Sequence, residues 1–159
     1  MNSEHVRLKI YIELGQHIAV MTKSHDFVDD VLSQLKNENL IFKIDLANIN
    51  SASELAIEYA KLLSCDGVDK DDINEIFGAV EQLTVGKNMK AIVVFYNFDT
   101  ICRFGLDTIK KMRSIFQTHK NTVYVFVGSQ ALVMDTIFLN KDNAFFNFAS
   151  IMRLVSREI

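Results

Sequence analysis

The feature that most constrains the fold is a recurrence of short apolar runs, β-branched and aromatic, that do not alternate with polar residues. They occupy residues 18–21, 40–46, 91–96 and 122–127, with a weaker fifth at 149–155. A strand that is apolar on both faces must be covered on both, which suits a parallel strand between helical layers. Helical stretches fall between the runs. Residues 24–37 place Phe27, Val28, Val31, Leu32 and Leu35 at helical spacing, with Ser24 or Asp26 as the N-cap. Ser51-Ala-Ser-Glu54 has the pattern of a capping box leading into the next helix. Residues 69–83, a helix after Gly105 carrying Leu106, Ile109, Met112 and Phe116, and a shorter one over 130–139 complete the series. Strands alternating with helices predict right-handed βαβ units wound into a parallel sheet, a three-layer α/β sandwich. No repeat, linker or low-complexity tract interrupts the 159 residues, so one domain over 1–159 is expected.

Charge and composition exclude several functions. With 17 basic and 20 acidic residues, a formal net charge of −3, the chain has no global field that would gather nucleic acid or an anionic membrane surface. No apolar run approaches the ~18 residues of a membrane span, and Glu4 and Glu13 interrupt the N-terminal segment where a signal peptide needs an unbroken apolar stretch. A cytoplasmic location with no membrane partner is the expectation. Cys65 and Cys102 are far apart and have no CxxC companion, so neither a zinc site nor a disulfide is indicated. His5, His17, His25 and His119 are scattered, and Gly128-Ser129-Gln130-Ala131 lacks the second glycine of a nucleophile elbow.

The C-terminal third carries the most specific pattern. A helix GLDTIKKMRSIFQTHKN, a strand TVYVFVGSQ, the stretch ALVMDTIFLNKDNAFFNF and a closing strand SIMRL follow in order. This order resembles the core of the archaeal-type ATPase family, P-loop NTPases of the AAA+/STAND group, in which a strand ends in Gly-Ser and an sxsPFY-like stretch precedes the last strand. Val127-Gly128-Ser129 and Asn143-Ala144-Phe145-Phe146 stand in those places, with Ala144 where the family has proline. FKIDLANINSASELAIEYAKLL is similar to the family's second strand and following helix, so the resemblance runs from about His17 to Leu154. It implies a five-stranded parallel sheet of order 5-1-4-3-2.

The departures from that family decide the functional expectation. Where the family has a Gly-rich phosphate loop ending in Gly-Lys-Thr/Ser, this chain has Thr22-Lys23-Ser24-His25-Asp26-Phe27-Val28-Asp29-Asp30. Aligned on the strand end, Phe27 stands at the glycine, Val28 at the lysine and Asp29 at the magnesium-binding hydroxyl. Asp26, Asp29 and Asp30 set carboxylates in the first turns of a helix whose N-terminus would otherwise attract anions. At the end of the third strand, where the family has Asp-Glu for magnesium and for the attacking water, the residues are Tyr96-Asn97. Asp99 lies just beyond, Ser129 occupies the family's polar sensor position, and Lys23 precedes the lysine position.

These substitutions predict a catalytically inactive pseudo-ATPase with no cofactor, acting through self-association or a protein partner such as an intact ATPase relative. The family's helical lid and winged-helix domain are expected to be absent. Two alternatives remain. One is an adaptor in DNA replication or repair, contacting DNA through Arg103, Lys110, Lys111, Arg113 and Lys120. The other is an unorthodox nucleotide binder relying on Lys23 and Asp99. Phe138, Phe145, Phe146 and Phe148 are expected to be core or sheet-edge packing.

Overall fold

The strands sort their side chains onto two unlike faces. A computed structural model describes residues 3–63 and 72–154. The strands are β1 (Ile18–Met21), β2 (Asn39–Asp45), β3 (Lys90–Tyr96), β4 (Thr122–Gly128) and β5 (Ser150–Arg153), all parallel, in the order β2-β3-β4-β1-β5. Read from the other edge this is 5-1-4-3-2, as expected. Ile18, Val20, Ile92, Val94, Tyr96, Val123, Val125 and Val127 share one core, while Ala19, Met21, Val93, Phe95, Tyr124 and Phe126 share the other. The two sets alternate along each strand, as the pleat requires.

The first face is covered by α1 (Ser3–Glu13) and α2 (His25–Ser33) through Leu8, Ile12, Val28, Val31 and Leu32. The second is covered by α3 (Ala52–Leu62), α4 (Ile73–Leu83), α5 (Leu106–Phe116), α6 (Ala131–Leu139) and a 3₁₀ segment, Phe98–Phe104. Its core is aromatic. Phe95 stacks across the strands on Phe126, with centroids 5.9 Å apart, and Phe116 stacks on Tyr124 at 4.0 Å. Phe138 and Phe145 are buried in it and Phe148 packs against it, as the sequence implied, whereas Phe146 is half-buried and belongs to neither core.

Several boundaries differ from expectation. Residues 3–13 form a helix that the sequence reading did not assign, and residues 98–104 form an unassigned 3₁₀ segment. The second helix ends at Ser33 rather than 37, and its N-cap residue Ser24 makes no side-chain cap bond. Half of the expected capping box is present: Ser51 Oγ accepts from the Glu54 amide at 3.1 Å, while the Glu54 carboxylate accepts at 2.9 Å from the amide of Asn50, one residue before the N-cap. Asp72 caps α4 by accepting from the Asn74 and Glu75 amides. The expected helix start at 69–71, Cys65 and the strand end at Val155 lie outside the described residues. No described helix is long and apolar enough to cross a membrane.

Candidate functional site

In a parallel α/β sheet, ligands approach the carboxyl ends of the strands. Here that end is formed by Thr22 to Asp29 after β1, Asp45 at the end of β2, Tyr96 to Asp99 at and after the end of β3, and Gly128 to Gln130 at and after the end of β4. The β1–α2 connection is only Thr22, Lys23 and Ser24. Two of its amides are turned inward. Thr22 N–H donates to the Gly128 carbonyl at 3.0 Å, extending the β1–β4 ladder, and Ser24 N–H donates to Thr22 Oγ1 at 3.1 Å. Val28 is fully buried among Val31, Leu32 and the valines of the sheet. Phe27 packs against the His5 ring at 4.6 Å. Asp26 and Lys23 are exposed.

Asp29 and Tyr96 are joined directly. The Tyr96 hydroxyl donates to Asp29 Oδ1, which also accepts from Lys43 Nζ at 3.0 Å. Burial acts to raise the Asp29 carboxyl, but the hydrogen bonds from Tyr96 and Lys43 outweigh it and hold the group below its usual range. Burial, then the bond to Asp29 and its negative charge, push the Tyr96 hydroxyl far above the ordinary phenol. His25 lies against the Tyr96 ring at 4.3 Å. Next to this group Asn97 adopts a left-handed conformation, φ 58°, and its Nδ2 donates to Asp45 Oδ1 at 2.7 Å. Asn tolerates that region better than most residues because its side chain bonds locally.

Asp99 makes its contacts elsewhere, at the end of β4. The 3₁₀ segment carries it to the start of α6, where its Oδ2 accepts from the Ser129 amide at 3.1 Å and the Gln130 amide at 3.0 Å. It supplies from a distance the cap that α6 lacks locally, since Gln130 makes no side-chain cap bond. Ser129 is engaged through its backbone. Gly128 permits this approach: a Cβ there would lie 2.6 Å from Met134 Sδ and 3.2 Å from the Asp99 carboxyl carbon.

The residues of the candidate basic face fall into two groups. Arg103 Nη1 donates to the Ala47 and Ile49 carbonyls, both at 3.1 Å, fastening the loop after β2. Arg113 Nη1 donates to the Ala144 and Phe146 carbonyls at 3.2 and 3.0 Å and lies over the Phe148 ring, fastening the loop before β5. The two guanidinium groups thus serve loops leading to opposite edges of the sheet. Lys110, Lys111 and Lys120 remain exposed.

Three contributors escaped the sequence reading: Lys43, His25 as a partner of Tyr96, and Asp45. The one sequence signal was Lys43, a charge interrupting an apolar strand. Among the described residues no cluster of His, Cys, Asp and Glu is arranged to hold a metal ion.

No protein-family model matches the chain, and no curated protein sequence matches it. Solved structures do. The ORC2 protein of Aeropyrum pernix in its ADPNP–ADP complexes superposes with a TM-score of 0.71 at 8% identity, over 94% of this chain and 46% of that one. A Walker-type ATPase of Pyrococcus abyssi gives 0.71 at 14% identity, over 95% and 52%. The ORC1 protein of Aeropyrum pernix in complex with DNA gives 0.67 at 11%, over 95% and 44%. The chain therefore spans about half the length of these proteins. At such identities the likeness concerns architecture, and the chain has the α/β fold of AAA+ P-loop NTPases.

Proposed function

We propose that this chain is a non-catalytic domain of P-loop NTPase architecture that works as a protein-interaction module. The observation that carries the reading is the hydrogen bond from Tyr96 to Asp29. It joins the two positions that would otherwise hold magnesium and the nucleotide phosphates. The residues present do not fit that ligand. A phosphate cradle offers free amides along a glycine-rich motif of about eight residues, whereas the three-residue connection here uses two of its amides internally. Val28 brings no cation and Asp29 adds negative charge. Isothermal titration with ATP and ADP at millimolar concentration, with and without magnesium, is expected to give no binding heat. Micromolar, magnesium-dependent binding would overturn the reading.

A replication-linked setting is the second reading, favoured by the likeness to ORC proteins, one of which is in complex with DNA. Here the module would serve as an adaptor for DNA or a replication protein. With Arg103 and Arg113 committed to carbonyls, direct DNA contact falls to Lys110, Lys111 and Lys120. Salt-dependent binding of duplex DNA that is lost in K110E/K111E would support this reading. An affinity unchanged by those substitutions would exclude that surface.

A further inference from the structure

Helix α1 is apolar on two opposite faces. Leu8 and Ile12 point into the core and are buried, whereas Val6, Ile10 and Leu14 form a row one turn apart on the outer side, exposed by 42%, 48% and 68%. Relative to Ile10, the buried pair lies about 160° around the helix at 100° per residue, so this row runs along the line farthest from the core. That line is usually the most polar on a surface helix.

The charges flanking the row point to what covers it. Lys9 and Glu13 lie one turn apart on the same flank, and no ion pair among the described residues engages either one. We infer that α1 pairs antiparallel with α1 of a second copy, about a twofold axis passing beside Ile10. Such an axis sets Val6 against the partner's Leu14 and Ile10 against the partner's Ile10. It keeps each flank facing the same flank of the other copy, so Lys9 meets the partner's Glu13 and Glu13 meets the partner's Lys9. The surface is self-complementary in shape and charge, as an isologous contact requires. Val6, Ile10 and Leu14 lie in one i±4 ridge, the geometry by which helices interdigitate.

Stable interfaces bury about 1,200–2,000 Å², more than one crossing of two three-turn helices provides, so the dimer is weak and concentration-dependent. It is independent of the nucleotide reading: a chain that bound ATP would still pair through α1, and a nucleotide-free chain without this contact would stay monomeric.

Sedimentation velocity of the full chain from about 5 μM to about 500 μM, a range bracketing weak association, should show a monomer shifting toward a dimer. Ile10→Asp should weaken association at least ~tenfold, with unchanged circular dichroism. Lys9→Glu and Glu13→Lys each place like charges across the axis and should each be largely monomeric. Their 1:1 mixture should dimerise, because each mixed pair restores two opposite-charge contacts. A chain monomeric throughout the range, a dimer indifferent to Ile10→Asp, or a mixture no more associated than the two variants alone would each overturn the inference.

Discussion

His17 illustrates how one residue can set the pH response. Its Nδ1 accepts the Tyr124 amide at 3.0 Å and its ring stacks on Phe148 at 4.6 Å. A ring nitrogen that accepts an N–H bond carries no proton, so the native state holds the neutral imidazole. Burial, then the nearby His119 and Arg113, bring its pKa down from 6.5 to about 4. The unfolded chain therefore binds a proton in that window that the folded chain does not, and stability falls as pH drops from 6.5 toward 4. Allowing for partial solvation of the ring, the loss is about 2 kcal/mol. Urea unfolding at pH 7.5 and 5.0 should show this loss, and His17→Gln, which keeps an acceptor for the Tyr124 amide but does not titrate, should remove most of it. Equal pH dependence in both proteins would refute the assignment. Asp29 acts in the same direction, in a more acidic window. Its lowered pKa gives stability that is present above the ordinary carboxylate value and lost as pH falls through the folded one. Tyr96→Phe should raise that pKa in an NMR titration and cost about 1 kcal/mol.

At the scale of elements, the junction of β4 with α6 depends on close approach. Gly128→Ala would drive a Cβ into Met134 and toward Asp99, and should cost about 1–3 kcal/mol by overpacking. Asp99→Ala should cost about 1–2 kcal/mol by uncapping α6. Because both changes disturb the same contact, the double variant should lose less than the sum, measured as a mutant cycle in urea. Additive losses would show that the two residues act separately. The sequence made some of these elements plain and hid others. Each central strand is an unbroken apolar run, and Ser51 with Glu54 is a local cap with a local pattern. Helix α1 was hidden because Val6 and Ile10 oppose Leu8 and Ile12, which leaves no single apolar face to detect. The roles of Asp99, Arg103 and Arg113 were hidden because their partners lie 30 to 56 positions away and are backbone groups, which carry no sequence pattern. The proposed replacement of the phosphate-loop and magnesium residues rests on Phe27, Val28, Tyr96 and Asn97, which the sequence shows directly. The bond between Tyr96 and Asp29 was not legible, since it joins residues 67 positions apart.

Across the whole molecule, the two layers divide the work. The four-helix side carries the aromatic core and binds its loops through Arg103, Arg113 and Glu81, whose carboxylate accepts from the Lys120 and Asn121 amides and the Thr122 hydroxyl. The α1/α2 side is aliphatic, closes over the strand ends through the Asp29–Tyr96 bond, and presents the apolar row of α1 outward. An architecture shared with nucleotide-binding proteins is held closed here by its own side chains, and that is the central claim. The most direct test is thermal unfolding of the purified protein with millimolar ATP, ADP and GTP, with and without magnesium. A ligand at 100 times its dissociation constant adds about 2.7 kcal/mol, a shift of about 5–11 °C for a domain of this size. The account predicts no shift with any nucleotide. A magnesium-dependent rise of that size, abolished by substitutions at Lys23 and Asp29, would contradict it.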